Sequence, residues 1–544
     1  MPEQNQSVLT LNQYGAQYWL GDADQVSFEP DKIHTFLLEA NQPLWIVSSE
    51  GRLGISRGGE LVSGDAGKSS SIQVIGQIPN INAKSLGDAS FNQTYGTEYA
   101  YYTGAMANGI ASEELVITAG KAGFLGSFGA AGLGPDRIQS AISAIQDALP
   151  EGPYAFNLIN SPSDPAAEAR AADLYVKNSV RTVETSAYVD LTVPLVYYRV
   201  AGLAQNPDGS VRINHRIIAK LSRREVASLF LQPAPEDILL HLLAEEKITQ
   251  QQADLARRVP VADDITVEAD SGGHTDNRPI LCLIPGVVAL RDEMQEKYQY
   301  STQIRVGAGG GIGTPEAAFA AFMMGAAYVV TGSVNQACVE AGTSEHTREL
   351  LAQAGMADVA MAPAADMFEM GVRVQVLKRG TLFPMRAQRL WEIYDNYQSW
   401  GEVPKAERDK IERMIFKRDF ESIWEGTEAF FQNRDPRQVE RANQDPHHKM
   451  ALVFRWYLGL SSRWSNGGEK GREMDYQVWC GPSMGAFNDW VRGSHLELPE
   501  NRHVVDVAMN ILHGAAYLAR LRMGEMFGLQ LPAQMRSFKP QKFI

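Results

Sequence analysis

Cysteine is scarce: the 544 residues hold three, Cys282, Cys338 and Cys480, far apart and without C-x-x-C spacing. Neither a disulfide framework nor a zinc cluster is expected, no metal site is assigned, and a reducing cytoplasm suits such a chain. Long apolar runs are missing too, with nothing near the roughly 18 residues a membrane span needs. The opening MPEQNQSVLTLNQYG has neither a basic nor an apolar stretch, so no secretory leader and no membrane insertion are expected. Positive charge is short: 50 Lys and Arg stand against 64 Asp and Glu, a formal charge of -14. That balance excludes nucleic acid as a main partner. A local group in the tail, Arg434, Arg437 and Arg441 with Arg520 and Arg522, reads first as ordinary solvated surface and second as a docking patch for an acidic carrier.

What is present is an ordinary globular composition, 44% hydrophobic and 21% charged, in a chain long enough for one large domain with additions. Residues 1–95 mix short β-prone pieces such as Leu44–Val47 and Ile72–Ile75 with glycine turns, and predict a small β-rich appendage. Residues 96–360 alternate apolar strands with helical stretches, the pattern of a parallel sheet buried on both faces. About eight strands can be counted, with a helical insertion near 222–262, so the fold class is α/β with a (β/α)₈ TIM barrel. Beyond residue 360 the alternation stops, and 361–544 reads as a mainly helical region. Its aromatic residues Trp456, Tyr457, Trp464, Trp479 and Trp490 are read as core rather than ligand contacts.

Three segments carry candidate chemistry. Gly307–Glu316 (GAGGGIGTPE) follows a strand and opens a helix, with Thr314 placed to cap and Pro315 at the first helical position. Glycines there let backbone N–H groups approach an anion, and Thr331-Gly332-Ser333 repeats the arrangement after the next strand. Paired glycine loops after strands seven and eight are where such barrels bind a cofactor phosphate, which nominates Gly309, Gly310, Gly311, Gly332 and Ser333.

The second segment, ADSGGHTDNRP (269–279), ends strand six on the catalytic face. Gly273 precedes His274, whose near-neutral imidazole can give or take a proton, with Asp270 or Asp276 as candidates to orient it. The third is Gly104–Gly109, where small residues and Met106, Ala107 and Asn108 would let a flat ring lie against the backbone. Asn157 and Lys220 are polar residues inside apolar strands and need partners if buried. Either internal hydrogen bonds or a flavin could supply them, and a cation near the ring would stabilise its reduced form.

These residues also resemble a known group. GAMANGIASEELVITAGKAGFLGSFGA, ADSGGHTDNRP and IRVGAGGGIGTPEAAFAAFMMGAAYVVTGS are similar to flavin-binding segments of the 2-nitropropane dioxygenase-like family, which includes nitronate monooxygenases and FMN-dependent enoyl reductases. GHTDNRP, IIAKLSR and the tail segments HKMALVFRWYLGLSSRW and GEKGREMDYQVWCGPSMGAFNDWV narrow the likeness to the D subunits of bacterial polyunsaturated fatty acid synthases and related trans-acting polyketide enoyl reductases. The resemblance implies FMN held by Met106, Asn108, Asn157, Lys220, Gly310, Gly311, Gly332 and Ser333, and His274 as the catalytic residue. It also implies NADPH or NADH as donor and an acyl carrier protein bringing the substrate; a homodimer is the default oligomer for such barrels.

Three other readings stand beside it. A nitronate-oxidising flavoenzyme would keep the barrel and use oxygen. An IMP dehydrogenase-like barrel would need a cysteine nucleophile in the loop after strand six, where this chain has His274, with Cys282 falling in the next apolar stretch. A non-catalytic synthase subunit would bind no flavin.

Overall fold

The computed structural model describes residues 17–39, 41–63, 72–162 and 164–543. Contacts divide the chain into two compact units, Met1–Leu86 with Met509–Pro540, and Gly87–Ala508 with Gln541–Ile544.

The smaller unit is built on a six-stranded antiparallel sheet in the spatial order Val26–Ser27, Arg52–Arg57, Leu44–Ser49, Ile72–Ile78, Gln17–Leu20, Glu60–Ser63. The turn Gly58-Gly59 has positive φ at both residues. There the Trp19 indole donates to the Gly58 carbonyl at 2.8 Å, and a Cβ on Gly59 would stand 2.3 Å from that indole nitrogen, so only glycine fits. The helix Pro30–Leu38 buries Ile33, Phe36 and Leu37. Arg520 is also buried in this unit and donates to the carbonyls of Leu37 (2.7 Å) and Ile81, with burial pushing its pKa down to about 10. It is a structural residue, not part of a docking patch.

In the larger unit eight parallel strands close into a barrel: β1 (Tyr101–Thr103), β2 (Leu125–Phe128), β3 (Ala155–Ile159), β4 (Thr182–Ser186), β5 (Arg216–Leu221), β6 (Asp264–Glu268), β7 (Arg305–Gly309) and β8 (Val329–Thr331). Helix starts follow local sequence. Ser112 caps Glu113–Lys121 by accepting from the Leu115 amide at 3.1 Å, and Thr314 caps Pro315–Met323 by accepting from Ala317 at 3.3 Å. The expected insertion consists of three short helices, Arg224–Phe230, Glu236–Ala244 and Gln250–Ala256, and the turn at Asn206–Gly209 joins the strands Leu203–Gln205 and Val211–Ile213.

The N-terminal end of the barrel is plugged. Phe91 and Tyr95, from the helix Ala89–Tyr95, share one core with Tyr102, Leu125, Ala155, Ile218, Tyr328 and Val330. Arg305 closes the plug with a buried fork onto Asp264 (2.6 and 2.8 Å), and the Tyr95 hydroxyl donates to the same carboxylate. With this end filled, the opposite end, where the strands terminate, is the one open to chemistry.

Beyond the barrel the chain is not helical throughout. Val359–Pro363 and Arg373–Leu377 form an antiparallel hairpin, and Gly273–His274 adds to it as a third strand, His274 pairing with Val374 and Gly273 with Gln375. Helices then follow, including Phe383–Asn396, Phe420–Arg434, Pro446–Gly467 and Ser483–Val491. The tail aromatics behave as core: Tyr457 is fully buried, and Trp456, Trp464 and Trp479 pack against its cluster. Arg434 pairs with Asp164, Arg437 with Asp435, and Arg441 with Glu369 and Asp445, so the tail arginines are neutralised by neighbours. No helix of the described residues is long and apolar enough to cross a membrane.

Candidate active site

The parallel barrel brings the nominated residues to one mouth, because each lies at or near the C-terminal end of its strand: Met106 to Asn108 after β1, Asn157 on β3, Lys220 on β5, Gly273 and His274 after β6, Gly309 to Gly311 at β7, Gly332 and Ser333 after β8. The loops after β1 and β2 are stitched together by backbone bonds from Asn108 to Ala131 (2.8 Å) and from Gly109 to Gly129 (2.9 Å). Asn108 adopts φ +58 and its side-chain amide donates to Ser462 Oγ at 3.0 Å.

The glycines divide by function. Gly310 has φ +82, and a Cβ there would stand 2.6 Å from the Ala269 backbone, so this residue is fixed by the approach of the β6 loop. Around Gly311 and Gly332, by contrast, an added Cβ would meet nothing within 4 Å. Open space bordered by backbone at two successive strand ends, beside a helix N-terminus at Thr314, fits a phosphate group.

Lys220 occupies the floor. Its Nζ lies 3.3 Å from Glu268 Oε1 and 3.7 Å from Glu184 Oε1, from the strands on either side. Burial works to lower the Lys220 pKa, but the two carboxylates outweigh it and hold the ammonium above its usual range. Glu184 is itself buried; its Oε2 accepts from the Tyr102 hydroxyl at 2.6 Å and the Ala105 amide at 2.8 Å, while Oε1 has no hydrogen bond among the described residues. Asn157 donates to the Glu184 carbonyl (3.1 Å) and Ser186 Oγ (3.0 Å). Neither Glu184 nor Glu268 is among the residues nominated from sequence. Glu268, which ends the strand Asp264–Glu268, could have been found by the criterion that finds Asn157 and Lys220, whereas Glu184 sits among Thr182, Thr185 and Ser186 and carries no such signal.

His274 is pinned through its backbone and half-buried through its ring. Its Nε2 stands 3.3 Å from Asp366 Oδ1 without an aligned hydrogen bond. Burial acts to lower the imidazole pKa, yet the Asp366 carboxylate, helped by Glu268, leaves it raised above the usual value. Asp366 responds in kind: burial pushes it up, His274 pulls it down, and the net shift is downward. The carboxylate that faces the imidazole is therefore Asp366. Asp276 is tied to Ser222 and Arg223, whose guanidinium holds it down at about 2. Asp270 accepts from Asn277 (2.8 Å) and Gln375 (2.7 Å), and so braces the loop rather than the ring.

The turn carrying Asp366 is held from behind. Arg455, on the helix Pro446–Gly467, donates to the Ala365 carbonyl at 2.9 Å, and Glu369 pairs with the buried His448 at 2.8 Å. The tail also laces three strand-end loops together. Val478 accepts from the Leu377 amide at 2.8 Å, and the Gly481 amide donates to Ser333 Oγ at 3.0 Å. Cβ atoms on Gly272 and Gly313 would stand 2.8 Å from Cys480 and 2.6 Å from Ser483 respectively.

Comparison with known proteins agrees with this architecture. The family model described as nitronate monooxygenase matches residues 94–390, more than half of the chain. The chain belongs to the nitronate monooxygenase family. Two further models match outside the barrel: the fatty acid synthase subunit PfaD N-terminal domain over 19–80, and the inserted helical domain of [acyl-carrier-protein] S-malonyltransferase over 397–476. Among solved structures, the enoyl reductase domain of MlnA from the macrolactin cluster of Bacillus amyloliquefaciens is 42% identical, with a TM-score of 0.78, covering 81% of this chain and 99% of that domain. A polyunsaturated fatty acid synthase subunit of Thraustochytrium sp. is 49% identical over 92% of this chain, and the polyketide biosynthesis protein PksE of Bacillus subtilis 48% over 82%. The chain spans 33% and 58% of the lengths of those two curated relatives. This family member thus shares its barrel and its flanking regions with proteins of fatty acid and polyketide assembly.

Proposed function

We propose that the chain is a trans-acting enoyl reductase, working in the cytoplasm with FMN and NADPH or NADH on trans-2-enoyl thioesters carried by an acyl carrier protein. One observation carries the reading: the likeness to the enoyl reductase domain of MlnA runs the length of that domain, at an identity well above the level that reports fold alone. The match of the N-terminal unit to a fatty acid synthase subunit supports the same setting.

The residues present fit FMN. Gly311, Gly332 and the N-terminal turn at Thr314 would hold its phosphate, while Met106, Ala107, Asn108, Asn157 and Lys220 would face the ring and ribityl chain. When bound, FMN carries hydride from the nicotinamide to Cβ of the enoyl thioester. His274 then supplies the proton that Cα requires, and Asp366 favours the protonated form of the imidazole, the form that can act as that acid. Solvent reprotonates the imidazole between turnovers. Lys220, kept charged by Glu184 and Glu268, provides fixed positive charge at the floor of the site, where anionic charge is favoured. The lacing of the loops by Gly481 and Ser483 keeps the phosphate cradle in one shape.

The family model leaves a second reading, oxygen-dependent oxidation of nitronates. Incubating the purified chain with crotonyl thioester and NADPH, and separately with an alkyl nitronate in air, separates the two. Saturated thioester from the first mixture supports the reductase; consumption of nitronate alone overturns it.

A further inference from the structure

The turn that bears Asp366 carries a second carboxylate three residues on, Glu369, and the two have different partners. Asp366 Oδ1 faces His274 Nε2 at 3.3 Å, whereas Glu369 Oε1 meets His448 Nδ1 at 2.8 Å. Between them Phe368 is fully buried against Tyr394 and Phe454, so the turn is rooted in the apolar core of the tail. His448 and Arg455 lie seven residues apart on the helix Pro446–Gly467, two turns along one face. Arg455 Nε donates to the Ala365 carbonyl at 2.9 Å, and its Nη1 stands 3.7 Å from Glu369 Oε2.

His448 is buried, and both of its ring nitrogens face oxygen. Nδ1 meets Glu369, and Nε2 meets Gln438 Oε1 at 2.9 Å; the Gln438 amide nitrogen donates to Asp435 Oδ2 at 3.2 Å, which fixes the end of that amide the ring sees. Each ring nitrogen must therefore donate, and an imidazole that donates twice is a cation. The other charged groups at this spot are Arg441, 3.6 Å from Glu369, and Asp445, which accepts from the His448 backbone amide at 3.2 Å. Burial pushes Glu369 up and its three cationic neighbours pull it down, leaving it below its usual value. Burial also lowers Arg455, against the pull of Glu369 and Asp366.

Buried ion pairs return little net stability, because desolvation offsets their attraction; what they supply here is a fixed geometry. We propose that His448 and Arg455 are positioning residues for the His274–Asp366 pair, holding the turn from behind through Glu369 and the Ala365 carbonyl so that the Asp366 carboxylate stays against the imidazole. They act through Asp366 rather than on the ring. The effect on catalysis rests on the enoyl reductase reading, and the positioning itself does not.

Nuclear magnetic resonance of the full chain labelled with nitrogen-15 histidine, with His274→Gln assigning the signal, reads the titration midpoint of His274 without flavin or turnover. Glu268 and Lys220 also act on this imidazole and stay in place in every variant. Arg455→Met and His448→Gln each remove a positive charge, and the loss of a cation acting only through space would raise the midpoint. Loss of positioning acts the other way: both variants are expected to lower it, in the direction of Asp366→Asn and by no more than that variant does. Arg455→Lys, which keeps the charge and a donor, restores part of the shift, and Asp366→Asn combined with Arg455→Met lowers the midpoint no further than Asp366→Asn alone. A substitution that merely loosens the fold lowers Tm and leaves the midpoint of the folded fraction where it was. A midpoint unmoved or raised removes the residue concerned from this role, and in both variants overturns the proposal. In turnover, the alkaline limb of the pH–kcat/KM profile follows the midpoint. If the wild type reduces no enoyl thioester, the reductase reading falls while the resonance titration still decides the positioning.

Discussion

Asp366 Oδ1 stands 3.3 Å from His274 Nε2, and each residue shifts the other's titration: the imidazole upward, the carboxyl downward. The two come from distant parts of the chain, joined because Gly273–His274 is the third strand of the sheet whose hairpin turn bears Asp366. In the proposed mechanism this pairing favours the protonated imidazole, the form that serves as the acid.

Replacing Asp366 with Asn removes the charge but leaves the burial that works against the imidazolium. The alkaline limb of the pH–kcat/KM profile for enoyl thioester reduction is expected to move to lower pH, with the change concentrated in the alkaline range. An unshifted limb would show that Asp366 does not hold the proton on His274.

The same pair makes stability depend on pH. His274, raised in the folded state, contributes below its unfolded pKa and loses its share as pH rises through the raised value. Asp366, depressed in the folded state, contributes above its unfolded pKa and loses its share as pH falls through the lowered value. The difference in Tm between wild type and Asp366→Asn should therefore be widest between those limits and narrow on both sides, which a melting series against pH measures.

His274→Gln keeps the strand pairing, which uses only backbone. It should retain flavin and lose enoyl reduction by on the order of 10²–10⁴ in kcat, the usual contribution of a positioned acid. Near-normal turnover with bound flavin would remove His274 from the mechanism.

Gly481→Val places a side chain where even a Cβ stands 2.9 Å from the Gly272 amide nitrogen. Backbone cannot yield as a flexible side chain would, so a loss of about 1–3 kcal/mol is expected by chemical denaturation. Affinity for flavin should fall with it, because the Gly481 amide that holds Ser333 is displaced; unchanged affinity would separate the lacing from the cradle.

At the closed end of the barrel Arg305→Met strands the buried Asp264 carboxylate, which Tyr95 alone cannot neutralise. A loss of about 3–5 kcal/mol is expected. The folded fraction should keep its flavin spectrum and its His274-dependent pH profile, because this pair lies at the opposite end of the strands from the site.

Much of the barrel is legible because most of its strands are largely apolar and its helices carry their own caps, as at Ser112 and Thr314. The mouth is legible where glycine or a misplaced polar residue marks it, as at Gly311, Gly332 and Lys220. Glu268 carries a similar mark at the end of its strand, Glu184 among polar neighbours does not, and only the pairing of their strands with that of Lys220 sets them on either side of it. Asp366 has no local mark at all: it sits in an ordinary turn, and only the pairing of Gly273–His274 with Arg373–Leu377 gives it meaning. That short sheet is hidden because a two-residue strand has no periodicity, and Val359–Pro363 merges with the end of the βα alternation. The tail segment Trp479–Ser483 is similarly silent, since its contacts to Gly272, Gly313 and Ser333 depend on long-range closure rather than on spacing.

The most direct measurement is an anaerobic absorbance titration of the purified full chain reconstituted with FMN. The visible flavin band should appear on binding, bleach with NADPH or NADH, and return when crotonyl thioester is added in the absence of oxygen, with the return slowed in His274→Gln. A protein that takes up no flavin, or one whose bleached band returns only with oxygen and not with the enoyl thioester, would contradict the assignment.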